Sequence, residues 1–218
     1  MTDLFPEPSI APPSPVGLGA AMAGGRSSRS VTERRGNDFY PTPEAVTRAL
    51  LAREAHSLRA ATGDGAVWEP CGRGGAISNL LAGAGYPVVA TDLVADPGNG
   101  VQQLDLLLAR RPLGRAVVTN FPFALAEQMI RHLLVDLNVR WCASVLKASF
   151  WHAAARTPLF RQLRPQRIYA LNWRPDFIDG GAPTMEVMWC VWDRSCAALG
   201  TQYDVLEPAR GGGLFDPP

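Results

Sequence analysis

Trp68-Glu69-Pro70-Cys71-Gly72-Arg73-Gly74-Gly75 is the stretch on which the fold turns. It prolongs a short apolar strand, Ala66-Val67-Trp68. It leads into Ala76 to Ala84, a helical segment that stops at Gly85. Glycines just after a strand let the backbone approach a ligand closely and adopt unusual torsions. Such a turn also serves tight packing alone, so its surroundings must decide. Downstream, Pro87 to Thr91 reads as a second buried strand ending at Asp92, and Arg115 to Thr119 as a third, followed at once by Asn120-Phe121-Pro122-Phe123. Ala124 to Leu137 reads as a helix with Ile130, Leu133, Leu134 and Leu137 on one side. Trp141 to Leu146, Arg167 to Leu171 and Met185 to Trp192 read as further strands. Upstream, Thr42-Pro43-Glu44 predicts a capped helix start, with Val46, Ala49, Leu50 and Leu58 at helical spacing. Apolar strands with helices between them predict an α/β fold with a mostly parallel sheet covered on both faces.

The chain has 218 residues, with Lys+Arg 21 against Asp+Glu 20, 47% hydrophobic and 19% charged. That suits one domain with a full core, and it excludes a wholly disordered chain. The domain is expected over residues 37–208. Residues 1–36, with five prolines and five glycines, read as a tail, and residues 209–218 as a second loose end. No run is long and apolar enough to span a membrane, and no secretory signal pattern opens the sequence. Cys71, Cys142, Cys190 and Cys196 fit no zinc spacing, so no metal is expected. They are expected to stay reduced, in a cytoplasmic protein.

In a sheet of this kind ligands bind outside the carboxyl ends of the strands. Glu69 to Gly75, Asp92 and Asn120 to Phe123 all fall there. An acid ending the second strand, about twenty residues after the turn, can accept both hydroxyls of a ribose. The turn has neither a P-loop lysine nor a regular G-x-G-x-x-G. A cofactor with ribose and adenine but no pyrophosphate fits it, namely S-adenosylmethionine.

These residues resemble the phage and bacterial S-adenosylmethionine-dependent adenine-N6 DNA methyltransferases. That family pairs an Asp/Asn-Pro-Pro-aromatic tetrad with an upstream acid-Pro-x-x-Gly-x-Gly turn. The resemblance spans about residues 37–193. It implies a Rossmann-like class I methyltransferase fold with a seven-stranded, mostly parallel sheet. It also implies roles for individual residues. Asn37 to Pro43, with Tyr40, Pro41 and Thr42, would contact the methionine end of the cofactor. Glu69, Pro70, Cys71, Gly72 and Gly74 would form the cofactor turn. Asp92, with Leu93 beside it, would bind the ribose, and Asp105 and Leu106 would meet the adenine. Asn120, Phe121, Pro122 and Phe123 would be the catalytic tetrad. Two positions depart from the pattern: Phe121 replaces the tetrad's first proline, and Arg73 stands where the turn usually has glycine.

An exocyclic amine conjugated to a base is a poor nucleophile. Acceptors on its protons return electron density to nitrogen as it attacks. The Asn120 side-chain carbonyl and the residue 121 main-chain carbonyl would be those acceptors, with Phe123 stacking on a flipped base. Phe121 keeps the carbonyl but loses proline's fixed φ. The competing reading of Asn120 to Phe123 is a strand-to-helix turn, with Asn capping the helix and both phenylalanines in the core. Asp105 could likewise cap a short helix, Leu106 to Arg110. Residues 140–174 hold seven bases and no acid, with Phe150, Trp151, His152 and Trp173 among them. This suits either a nucleic-acid strand or a solvated arginine-rich face, with Lys147, Phe150, Arg156 and Arg174 as candidate contacts. DNA is the expected partner and RNA an open alternative. Another planar amine as substrate, or a retired enzyme that only binds, also stays open. The sequence leaves the oligomeric state undetermined.

Overall fold

The computed structural model describes residues 40–178, 180, 185–196 and 200–208. The expected tails, and Asn37 to Phe39 of the N-terminal segment, lie outside the described residues.

In chain order the elements are α1 (Glu44–Thr62), β1 (Val67–Glu69), α2 (Ser78–Gly83), β2 (Val88–Asp92), β3 (Val101–Gln103) and β4 (Ala116–Asn120). Then follow α3 (Ala126–Arg131), β5 (Trp141–Lys147), α4 (Thr157–Gln162), β6 (Arg167–Leu171), β7 (Val187–Asp193) and β8 (Gln202–Leu206). The sheet runs β3-β2-β1-β4-β5-β7-β6-β8. Only β7 is antiparallel to its neighbours, β5 and β6. The expected mostly parallel α/β sheet is therefore present, but as a mixed sheet of eight strands, not seven. Neither β3 nor β8 has an apolar run to announce it. β3 is three residues long, and four of the five residues of β8 are exposed.

Alternation along the central strands shows why both faces must be covered. Val67, Ala116, Val118, Ala143, Val145, Trp189 and Val191 enter one core cluster together with Val46, Leu50 and Leu58 of α1 and Leu81 of α2. Their neighbours Trp68, Val117, Cys142, Leu146, Met188, Cys190 and Trp192 enter the other, with Met129 and Ile130 of α3 and Leu159 of α4. A strand buried on both sides reads as continuous apolar sequence. Burying a large side chain such as Trp68 or Trp189 contributes roughly 2–3 kcal/mol.

Three helices differ from expectation. Thr42 does not cap α1; Pro43 precedes the first turn with no side-chain cap, and Glu44 pairs instead with Arg48 one turn on. α2 is shorter than Ala76 to Ala84. The segment read as one helix from Ala124 to Leu137 is α3 followed by a π turn over His132–Asp136. Among the described residues no helix is long and apolar enough to cross a membrane.

Away from the strands' carboxyl ends, Arg167 ties α1 to the sheet. Its guanidinium donates to the buried Glu54 at 2.5 and 3.1 Å and to the buried Asp193 at 3.0 Å. Removing the cation would leave two buried carboxylates unpaired, a situation that costs on the order of 3–5 kcal/mol. We expect Arg167→Met to lower unfolding free energy by about that amount in urea denaturation. A loss under about 1 kcal/mol would show that water reaches this network.

Candidate active site

The carboxyl ends of β1, β2 and β4 lie side by side, because β1 pairs in parallel with both β2 and β4. Each delivers one of the expected groups: Glu69 ends β1, Asp92 ends β2 and Asn120 ends β4.

The loop after β1 is tied to the loop after β2. Gly72 N–H donates to the Thr91 carbonyl at 2.9 Å, and Arg73 N–H to Asp92 Oδ2 at 3.3 Å. Gly74 N–H donates to Asp96 Oδ2 at 3.0 Å, and the same oxygen takes Asn99 Nδ2 at 2.8 Å. Asp92 Oδ1 accepts from Val94 N–H at 3.0 Å, closing a turn on its own carboxylate. Positive φ falls at Gly74 (80°) and Gly75 (66°), not at residue 73. Arg73 thus replaces a glycine where the backbone does not demand one. Gly72 is small for another reason: a Cβ there would lie 3.1 Å from Glu69 Oε2. Asp96 and Asn99 were missed from the sequence, although the turn Asp96-Pro97-Gly98-Asn99 was visible. A turn pattern does not say which neighbouring loop its side chains will hold.

Glu69 is buried, and its Oε2 has no hydrogen-bond partner. Burial lifts its carboxyl to about 8, and the charge of Asp92 adds to the lift. Burial likewise pushes the Cys71 thiol up, helped by Asp92, Glu69 and Asp105 in turn. Three carboxyl groups therefore converge around Cys71. Asp105 caps the 3-10 turn Leu106–Leu108, accepting from Leu107 N–H at 2.9 Å, so its local capping role is present. The Leu106 side chain is buried in the core cluster that also holds Trp68 and Phe121. Leu93, next to Asp92, is exposed. Pro70 is buried and Cys71 half-buried.

Asn120 does not cap the helix after it. α3 starts five residues past β4 with no side-chain cap. The Asn120 amide instead donates through Nδ2 to Thr42 Oγ1 at 3.1 Å, across 78 positions of sequence. That contact leaves Oδ1 buried and without a partner. Thr42 is itself buried, while Tyr40 packs half-buried against the first core cluster. Phe121 is 2% exposed and joins the second cluster, whereas Phe123 stays half-buried against the first. Pro122 accepts from Leu125 N–H at 2.9 Å in the turn that follows.

Two of the seven basic residues are paired with acids. Arg167 is consumed by Glu54 and Asp193, and Arg174 pairs with Glu186 at 2.6 Å. Arg156 lies 4.1 Å over the Phe150 ring and donates to the Phe150 carbonyl at 2.8 Å. Phe150, a candidate nucleic-acid contact, is buried. Lys147 lies at the end of β5, its ammonium 4.9 Å over the Phe123 ring. Among the described residues no cluster of His, Cys, Asp or Glu could hold a metal ion.

No family model and no curated protein matches the sequence. Solved structures do. A Thermoplasma acidophilum protein, 1320, aligns at TM-score 0.51 and 16% identity, over 72% of this chain and 89% of its own. A modification subunit assigned to a type I restriction enzyme from Vibrio vulnificus YJ016 aligns at TM-score 0.51 and 12% identity, over 82% of this chain. The chain spans about half, 49%, of that subunit's length. At these identities the likeness is one of fold.

The Glu69 carboxyl has a folded value, about 8, above its ordinary 4.5. Such a group stabilises the fold below its unfolded value and loses that contribution as pH rises through the folded one. Between pH 5 and pH 9 the ligand-free protein is expected to lose more thermal stability than Glu69→Gln does. Parallel melting curves for the two proteins would refute this.

Proposed function

We propose that the chain is an S-adenosylmethionine-dependent methyltransferase acting on the exocyclic N6 amine of adenine in DNA. The observation that carries this reading is the buried, unpartnered Oδ1 of Asn120 at the carboxyl edge of the sheet. A desolvated amide oxygen is costly unless something donates to it. An amino group conjugated to a ring is a donor that also gains from being held there.

The residues around the edge fit the proposed cofactor. Glu69 Oε2 is a second buried oxygen without a hydrogen-bond partner. Asp92 ends β2 where a ribose diol would lie. The absence of a side chain at Gly72 keeps that side of Glu69 uncrowded. When bound, S-adenosylmethionine would supply an electrophilic methyl group on a sulfonium.

The chain's own residues would do the rest. Asn120 Oδ1 accepts one proton of the target amine, and the main-chain carbonyl of residue 121 accepts the other. Held so, the amine nitrogen would be the nucleophile towards the methyl group that the bound cofactor would supply, and it would afterwards shed one proton to solvent. Thr42 holds the Asn120 side chain at the strand end, its hydroxyl accepting from Nδ2. Phe123 is placed to stack on the base, an interaction worth about 1–3 kcal/mol. Alignment in line with the methyl group supplies much of the remaining rate. The fold shared with the Vibrio vulnificus modification subunit supports this reading.

Expression of the chain should introduce N6-methyladenine into host DNA, read by nucleoside digestion and mass spectrometry. Asn120→Ala should reduce transfer to oligonucleotides by about 100-fold or more while leaving S-adenosylmethionine binding intact. An unchanged rate would sink the site assignment. N6-methylation confined to RNA would move the substrate without moving the site. A folded protein that binds the cofactor and modifies nothing would favour a retired enzyme.

Thr42→Val should cost about tenfold in kcat with little change in KM, because the amide loses its orientation and not its acceptor.

A further inference from the structure

We propose that Lys147 is a positioning residue that covers the Phe123 ring in the empty protein and moves to a nucleic-acid phosphate when a base takes its place. The inference rests on the substrate reading above and deepens it. Lys147 is the only lysine in a chain with twenty arginines. It is exposed at the last position of β5. Asn120 is in register with Val145, two residues earlier, so Lys147 points to the same face of the sheet as Val145. Val145 and Phe123 belong to the same core cluster.

The Phe123 ring packs on that cluster and is only partly covered. The Lys147 ammonium lies over the ring, 4.9 Å from its centroid. A cation over an aromatic face gains about 0.5–1 kcal/mol at an exposed site. A stacked base gains about 1–3 kcal/mol. The base therefore wins the face. The displaced ammonium sits on a long flexible stem, within reach of the backbone that carries the base. Among the described residues no carboxylate lies within ion-pair distance of it, whereas Arg174 and Arg167 are held by acids.

Two measurements test this on the full chain. The first is the salt dependence of binding to an adenine-containing oligonucleotide. The logarithmic slope should fall by about one in Lys147→Met, with affinity weakened about three- to tenfold at about 0.1 M salt. S-adenosylmethionine affinity should not change. Lys147→Arg should restore the slope. The second is acetylation of the single lysine, read by mass spectrometry, which a bound oligonucleotide should slow. A wild-type chain that binds the oligonucleotide, with an unchanged slope in Lys147→Met or with Lys147 unprotected, overturns the lysine's role alone. No binding by the wild-type chain overturns both this role and the substrate reading.

Discussion

An amide buried with its oxygen unpaired costs about 1–3 kcal/mol, and the arrangement around Asn120 follows from that cost. Thr42 takes the nitrogen end, and the oxygen end stays buried without a partner. Both ends could have been satisfied within the protein, as the Trp189 and Trp68 indoles are by Val46 O and Thr91 Oγ1. The segment before α1 thus has a task other than starting a helix. α1 begins without a side-chain cap because its N-cap residue is Pro43, and the Thr42 hydroxyl one residue earlier holds Asn120, 78 residues away.

Topology makes the pairing possible. Putting β1 between β2 and β4 brings three strand ends together although about fifty residues separate Glu69 from Asn120. The loops are then held against each other by backbone donors on carboxylates: Arg73 on Asp92 and Gly74 on Asp96. Charged acceptors make such bonds about twice as strong as neutral ones. The cleft wall is therefore built before any ligand arrives. Glu69 adds a carboxyl kept largely protonated by burial, so the wall does not bear three full charges at neutral pH.

Much of this was legible from residue order. Continuous apolar runs gave the strands, and the strand-end positions of Glu69, Asp92 and Asn120 followed from them. Other features were not legible, for physical reasons. β8 is Gln202-Tyr203-Asp204-Val205-Leu206, mostly exposed at a sheet edge, so no burial pattern marks it. The π turn at His132–Asp136 keeps the apolar spacing of an α-helix, and Leu133 and Leu134 are buried either way. The basic window was misleading because charge on a sequence says nothing about partners from elsewhere. Glu54 and Glu186, both outside it, hold two of its arginines. The burial of Leu106 and Phe150 was not legible for a related reason: a three-residue 3-10 turn has no period to say which side faces the core.

Phe121 is the sharpest departure from the family pattern, and its burial explains how it is tolerated. Proline at this position would fix φ by a ring. Here the aromatic side chain sits 2% exposed among Trp68, Leu106 and Ile130 and anchors the same residue by packing. Truncating a buried phenylalanine typically costs 3–5 kcal/mol, comparable to the penalties that hold a turn in place. The main-chain carbonyl is retained with either residue. The tetrad therefore exchanges a local restraint for a tertiary one, and its order depends on α3 and the 3-10 turn after Asp105 staying packed beneath it. A lesion in that layer would then reach the end of β4 through Phe121 before it reached Asn120.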